Sequence, residues 1–557
     1  MTEQVDVPKA KRPLLPAGSK WVYLSMLACI LLFTAVCRLR LLDVPFERDE
    51  GEYAYAGQEL LKGIPPFVST HHVKLPGMYG MNAVFIFIFG HSIHAIHLGL
   101  LLCNLFCIVF CYAIARKLFD SISGVFAALV FALFTLSRAT FGFTGNAEHF
   151  VLLFSLPAIW LLLRATDKFV IVPVPKIKTE LFCAGLLFGL AYMMKQHALY
   201  FVLFAVAYCI YKAVTTRLIG KRLLFLTYGL VFAGGVGIPI LVLCLIFRGL
   251  HLFDTFWWWT FYYPRTYVTQ IPLSYAWLTF KTSFKPIWHD NWPVLILSFT
   301  GGLATVLLRK PKHKFFLLVL TVLSTLMVAA GLYFYPHYFL NAAPVLALLA
   351  GAGIYALNDL LQQKDAALLR NGVWFILPVV MVLMVFINRD YYFNDDGETT
   401  SRTVYGGNIF PESIKIGEYL QQHTRPTDKI AIFGSEPQIY FYANRSAATG
   451  YIYTYEMTKD HPYVSTFQKQ MADEVAACNP VYVVMVNISM SWFATPVEHL
   501  DNYIFEWANK YIAANYIVTG MVDVRYPDPS VVEFDRPDGN YQHNQDSYVL
   551  IFKRKSK

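Results

Sequence analysis

The stretch that decides the fold is residues 21–41, WVYLSMLACILLFTAVCRLRL, read together with the residues it runs into, 42–60, LDVPFERDEGEYAYAGQEL. From Trp21 to Cys37 no side chain is charged, and a helix of about 20 such residues crosses the hydrocarbon core of a bilayer. Backbone amides inside hydrocarbon must find their partners within the segment, so the run reads as a spanning helix. Immediately beyond it the sequence turns acidic, with Glu47, Asp49, Glu50, Glu52 and Glu59. The chain passes within a few residues from a lipid-soluble segment to a cluster of carboxylates at the membrane surface.

The same apolar pattern recurs outward from this point. Spans are expected at 21–41, 91–115, 121–138, 148–164, 180–195, 197–213, 222–248, 293–309, 315–334, 338–358 and 371–388. That makes about eleven crossings, with 180–213 readable as one long helix or two short ones. Segment 76–90 is apolar but short and reads as an interfacial helix. The composition agrees: 56% of the 557 residues are hydrophobic and 15% charged, with a mean hydropathy of +0.45. So little polar surface excludes a string of soluble domains. The formal charge of +9 reads as loop charge in a lipid bilayer, and no nucleic acid partner is expected. Cys103, Cys107 and Cys111 share a helix face without a zinc-type histidine spacing, which reads as helix packing. Cys478 is the one cysteine of the polar C-terminal region, so no disulfide is expected within it. The first span, preceded by basic and polar residues, reads as an uncleaved anchor.

Basic residues set the expected orientation. Lys9, Lys11, Arg12 and Lys20 precede the first span; Arg116 and Lys117, Lys176 and Lys178, then Lys212, Arg217, Lys221 and Arg222, and finally Arg309, Lys310, Lys312 and Lys314 follow in alternate loops. Under the positive-inside rule these loops and the N-terminal segment 1–20 are cytoplasmic, and loops 42–90, 139–147 and 249–292 face outward. Arg38 and Arg40 conflict with this at the outer end of the first span and read as local chemistry. After residue 390 the apolar runs shorten. β-like runs at Lys429–Gly434 and Val481–Val486 alternate with helical patterns at Glu412–His423 and Tyr463–Cys478. Residues 390–557 are therefore expected to form a small extracytoplasmic α/β domain behind a membrane part of residues 21–389. The triplets Asn444-Arg445-Ser446 and Asn487-Ile488-Ser489 match glycosylation sequons, a pattern chance produces easily.

The candidate chemistry gathers at the outer helix ends. Asp49 is placed to accept a proton or to bind a divalent cation. His71-His72-Val73-Lys74-Leu75-Pro76-Gly77 adds two imidazoles, a cation and a rigid turn on the same loop. A lysine there suits a lipid phosphate, though snorkelling is its usual role. Glu148, at the start of the fourth span, and Lys195-Gln196-His197, which interrupts an apolar stretch, are costly in a membrane and read as functional, against helix N-terminal charge stabilisation for Glu148 and a helix-end anchor for Lys195. His337 and Tyr338 lie at another outer turn. The aromatic run Trp257–Tyr263 reads as part of the interfacial aromatic belt.

With these residues in place the sequence resembles a family. Asp49-Glu50 after the first span, the Tyr53-Ala54 step, the helix end Leu60-Leu61-Lys62-Gly63 and then Lys74-Leu75-Pro76-Gly77 follow one another in a characteristic order. That order is similar to the bacterial protein O-mannosyltransferases and aminoarabinose lipid A transferases, a glycosyltransferase family 39-like group of the GT-C superfamily. The similarity continues through Ala115–Phe119, Gly185–Lys195 and Tyr335–Leu340, over residues 20–390. It implies a polytopic α-helical membrane protein of GT-C type in the bacterial inner membrane. It also implies a polyprenyl-phosphate sugar donor, an acceptor that is protein, lipid or glycan, and transfer on the outer face.

By position, the resemblance makes Asp49 the catalytic base and Glu50 the second member of the acidic pair. Glu148 stands where the family usually has an aspartate. Lys74 is expected to touch the donor phosphate, with Leu75 where the family has a proline, and His97 stands nearest to a family arginine. His72, Lys195, His337 and Tyr338 are further candidates for the donor phosphate. Asp49 and Glu148 are the candidates for a divalent cation, the one cofactor considered. The alternatives are an outer-face ligase or polymerase with a lipid-pyrophosphate donor, and a multi-pass transporter. A transporter predicts ionisable or broken-helix features near the bilayer midplane and paired repeats, and the sequence has neither.

Overall fold

A computed structural model gives the structure of residues 20–170, 175–268, 271–307, 313–364, 372–459, 461–492, 502–543 and 546–556. Residues 1–19 with Lys9, Lys11 and Arg12, the cluster Arg309, Lys310 and Lys312, and the span ends at 308–309 and 371 lie outside the described residues.

The apolar runs form helices: α1 (Lys20–Arg40), α2 (Arg48–Leu61), α3 (Gly77–Phe89), α4 (Ile93–Leu118), α5 (Ser121–Leu136), α6 (Ala147–Asp167), α7 (Pro175–Met194), α8 (Leu199–Thr215) and α9 (Arg222–Gly249). Further helices at Ala276–Leu307, Lys314–Ala329, Ala343–Gln363 and Ile376–Ile387 complete the membrane part. Among the described residues, eight helices are long and apolar enough to cross a membrane, and three shorter apolar helices accompany them, at Gly77–Phe89, Ser121–Leu136 and Val373–Ile387. Helix starts carry the expected caps. Ser92 accepts from the Ala95 amide ahead of α4, and Asp120 accepts from the Ser123 amide ahead of α5. Helix α5 is the core, buried from Ile122 to Leu136, whereas α9 buries little of its surface.

Three sequence expectations are resolved by the packing. The stretch 180–213 is two helices, because Lys195 adopts an extended conformation between α7 and α8. Segment 76–90 holds a helix of 13 residues, about 20 Å long at 1.5 Å per residue and so shorter than a span. Arg38 and Arg40 serve local chemistry. Arg38, 4% exposed, donates to Asn104 Oδ1 (3.2 Å) and to the carbonyls of Thr135 (2.8 Å) and Gly142 (2.9 Å). Arg40 donates to the carbonyls of Tyr392 and Asp395. Each guanidinium satisfies orphan carbonyls where helices end, so its charge reports a tertiary need and not a side of the membrane.

The C-terminal domain is a six-stranded sheet: β1 (Lys429–Phe433), β2 (Ser446–Ala447), β3 (Tyr482–Asn487), β4 (Tyr516–Asp523), β5 (Val531–Phe534) and β6 (Tyr548–Arg554), ordered β2-β1-β3-β6-β4-β5. β1 runs parallel to β2 and β3, and the remaining pairs are antiparallel. Strand alternation separates two faces. Ile430 and Ile432 pack with Ile416, Leu420 and Ile439 of the helices Phe410–Gln422 and Pro437–Ala443. Ala431 and Phe433 pack with Phe467, Met471 and Ile504 of the helices Val464–Cys478 and Tyr503–Asn515. Both faces of β1, the strand with parallel neighbours on each side, are covered, as the parallel part of a sheet requires.

Helix α2 is the joint between the two parts. Its residues from Gly51 to Glu59 are buried, against α3 on one side and the C-terminal domain on the other. A Cβ on Gly51 would stand 2.6 Å from the Gln438 amide nitrogen. Gly51→Ala is expected to push the helix Pro437–Ala443 off α2 and to destabilise the protein by about 1–3 kcal/mol, read as a lower thermal midpoint in detergent. Part of the aromatic run Trp257–Tyr263 belongs to the same joint, while Trp257 and Tyr262 stay exposed. Trp259 stacks on Phe467 (5.1 Å) and on His71 (5.7 Å), and Trp258 meets Tyr463 and Phe467 edge-on. Aromatic rings with polar edges suit a protein interface as well as a membrane surface, so sequence alone does not separate the two.

Candidate active site

Helix α2 presents Asp49 and Glu52 on one face, because residues three apart on a helix lie side by side. Lys74 reaches both, with Nζ 2.7 Å from Asp49 Oδ1 and 2.7 Å from a Glu52 carboxylate oxygen. Glu52 also accepts from Tyr79 OH (2.7 Å) and faces His72 Nδ1 at 3.0 Å. The C-terminal domain adds Tyr453, whose hydroxyl donates to Asp49 Oδ1 at 2.8 Å and whose ring lies under the Lys74 ammonium and stacks on His72. The carboxylates differ in access. The Asp49 side chain keeps 25% of its surface, while that of Glu52 keeps none. Asp49 is thus the more accessible of the two carboxylates.

The electrostatics follow from burial and pairing. Burial works against the Asp49 charge, but the charge of Lys74 and the hydrogen bonds from Lys74 and Tyr453 outweigh it and hold the carboxyl well below its ordinary range. Burial likewise opposes the Glu52 charge, and His72 and Lys74 outweigh it, lowering the group to about 2. Lys74 is held well above its ordinary value, since Asp49 and Glu52 overcome its desolvation. Glu47 caps α2, accepting from the amides of Asp49 and Glu50; burial and the neighbouring Asp49 charge push it up to about 8. Two carboxyls two residues apart are therefore driven in opposite directions, and Asp49 is the ionised one at neutral pH.

A second ion pair lies beside this cluster. Glu148, in the first turn of α6, accepts from Lys195 Nζ at 2.6 Å, and that ammonium sits 4.2 Å over the Tyr338 ring. Tyr338 and His337 each lie within electrostatic reach of both Glu148 and Asp49, so the two pairs converge. His337 Nδ1 is buried and has no hydrogen-bond partner among the described residues. Lys195→Met leaves Glu148, whose side chain is fully buried, without its cation. Removing one partner of a buried pair is expected to cost about 3–5 kcal/mol, visible as a lowered midpoint in thermal unfolding that Lys195→Arg largely restores.

Of the residues expected from sequence, Asp49, Lys74, Glu148, Lys195, His337 and Tyr338 come together. Glu50 does not. One position along α2 turns a side chain by about 100°. Glu50 therefore points away from the cleft, accepting from the Gly145 amide and facing His97 Nε2 at 2.9 Å. His97 is buried in that contact, and its other ring nitrogen faces the Leu42 carbonyl at 2.9 Å. His72 is committed to Glu52 and stacked under Tyr453. No group of three or more His, Cys, Asp and Glu side chains is arranged to hold a metal among the described residues, and the two carboxylate candidates, Asp49 and Glu148, each carry a lysine.

Sequence reading passed over Glu52, Tyr453 and the pair Arg48–Glu436. Arg48 Nη2 lies 2.6 Å from Glu436 Oε1 and its Nε donates to the Ser435 carbonyl. Signals existed for two of them: Glu52 stands three residues from Asp49, and tyrosines alternate at 451, 453 and 455. Nothing in the sequence announces the Glu436 contact.

A family model described as dolichyl-phosphate-mannose-protein mannosyltransferase matches residues 76–248. Among solved structures, ArnT from Cupriavidus metallidurans bound to undecaprenyl phosphate aligns with a TM-score of 0.59 at 14% identity, over 96% of this chain and 98% of that one. The archaeal oligosaccharyltransferase AglB from Archaeoglobus fulgidus, in complex with an inhibitory peptide and a dolichol-phosphate, aligns at 0.55 and 13% identity, over 94% and 75%. The arabinofuranosyltransferase AftD from Mycobacteria aligns at 0.50 and 13% identity, over 98% of this chain and 40% of that one. No curated protein matches the sequence. At these identities the likeness to the solved structures is one of fold.

Proposed function

We propose that this chain, a member of the GT-C superfamily by its fold, is a membrane glycosyltransferase that moves a sugar from a polyprenyl-phosphate donor to a protein, lipid or glycan acceptor on the outer face. In this reading residues 21–389 are the membrane catalytic part with its first outer loop at 42–90, and residues 390–557 are extracytoplasmic. The observation that carries it is a partly open, ionised Asp49 paired with Lys74, beside a second pair, Glu148 with Lys195, and a His337 nitrogen that has no hydrogen-bond partner among the described residues and lies within electrostatic reach of both carboxylates.

The chemistry follows from that arrangement. The acceptor X–H gives its proton to Asp49 as the bond from X to the anomeric carbon forms. The bond from that carbon to the phosphate oxygen breaks, and its electron pair leaves with the polyprenyl phosphate. Attack opposite the leaving group inverts the anomeric carbon. A weakly nucleophilic hydroxyl or amine needs such a base. The leaving phosphate needs cations aimed at it in a site with little water. Lys74 has three N–H groups, two of which serve Asp49 and Glu52, so one is left for the phosphate. Lys195 and His337 Nδ1 are the other donors. The undecaprenyl phosphate and dolichol-phosphate of the ArnT and AglB complexes support a donor of this class.

The test is transfer by the purified protein of label from radiolabelled undecaprenyl-phosphate mannose or aminoarabinose to a membrane extract. A labelled product that depends on the protein supports the reading. Transfer from lipid-pyrophosphate donors alone would replace it with a ligase, and no transfer from either would return the transporter.

A further inference from the structure

We infer that the C-terminal domain is a working part of the active site, with Tyr453 as the positioning residue that fixes Asp49 for proton transfer. This rests on the reading of Asp49 as the base. Both hydrogen bonds to the Asp49 carboxylate, from Lys74 Nζ at 2.7 Å and from Tyr453 OH at 2.8 Å, end on Oδ1. Oδ2 is therefore the oxygen left to take the acceptor's proton. The terminal torsion of an aspartate is broad and two-fold, so a carboxylate held by one flexible ammonium exchanges its oxygens readily. A second donor, set on a rigid ring, makes the two oxygens inequivalent and keeps Oδ2 turned to the cleft.

Tyr453 is built for that task. The ring of His72 stacks on it at 4.8 Å with 15° between the planes, and His72 is in turn tied to Glu52. The next residue is anchored to the sheet, since the Thr454 amide donates to Ser435 Oγ at 2.9 Å and the Thr454 hydroxyl lies 3.1 Å from the same oxygen. The preceding turn is held by Glu474, which accepts from Thr449 Oγ1 and the Gly450 amide. The hydroxyl is thus delivered to Asp49 by a segment fixed at both ends, and it belongs to a part of the chain 404 positions away. Tyr453 gives up no proton in the transfer: its O–H bond is intact before and after, and the acceptor's proton ends on Oδ2. A charge-assisted hydrogen bond of this kind is stronger than a neutral one and directional.

The experiment compares Tyr453→Phe with Tyr451→Phe in full-length protein, using radiolabelled undecaprenyl-phosphate sugar and membrane extract. Tyr451 lies on the same segment, and its hydroxyl donates to Gln470 of the helix Val464–Cys478, away from Asp49. Tyr453→Phe is expected to lower kcat by about tenfold while KM for the labelled donor changes by less than about twofold. Tyr451→Phe is expected to keep kcat within about twofold. The inference is overturned if Tyr453→Phe keeps the wild-type kcat. It is also overturned if Tyr451→Phe loses kcat to the same degree, since stiffness of the segment would then explain both. Failure of the underlying reading is seen separately, as wild-type transfer by Asp49→Asn.

Discussion

Asp49→Asn is expected to lower the rate of sugar transfer by about 10²–10⁴-fold, the range over which a positioned general base contributes. The substitution is suited to the question because it changes one oxygen to an amide nitrogen and little else. Lys74 keeps its ion pair with the fully buried Glu52, and Tyr453 keeps an oxygen to donate to. The fold should survive, and a thermal midpoint within a few degrees of wild type checks that. What is lost is the ability to take a proton, so kcat should fall while the labelled donor still binds to detergent-solubilised protein. Transfer that persists would remove Asp49 as base and turn attention to Glu148, the other carboxylate at the cleft.

Arg48→Leu is expected to destabilise the protein by about 3–5 kcal/mol. It strands Glu436, whose side chain is fully buried, and removes the donor to the Ser435 carbonyl; the guanidinium also lies over the Phe410 ring at 5.0 Å. Because the pair joins α2 to the C-terminal domain, the first sign should be faster proteolysis between residues 390 and 460, ahead of global unfolding. Adding Glu436→Leu should recover part of the loss, since an apolar pair avoids the stranded charge.

How much of this was legible in the sequence depended on distance along the chain. The spans follow from local composition, and the break between α7 and α8 follows from three polar residues inside an apolar run. The gathering of Asp49 and Lys74 at one site was legible because both belong to one loop and to one recognisable order of residues; their direct ion pair was not. Lys195 and Glu148 were each visible as costly charges in a membrane segment, but that each was the other's partner was not. Tyr453 was invisible as a site residue because its contact with Asp49 is a tertiary accident of how a distant sheet docks. Glu50 was misread for the opposite reason: being next to Asp49 in sequence places it on a different face of the helix. The tryptophan run shows a third limit, since the same rings serve lipid and protein surfaces.

The ties between the two parts have a consequence for anyone who would recombine them. Residues 46, 48, 49, 55 and 71 bond to Tyr442, Glu436, Tyr453, the Ala447 amide and the Gly450 carbonyl, respectively. The seam of the molecule therefore does not lie where the last membrane helix ends. A chimera that exchanges the C-terminal sheet at residue 390 would carry a foreign surface to a loop shaped for another, whereas one that exchanges residues 42–90 together with it would keep these five bonds within one parent.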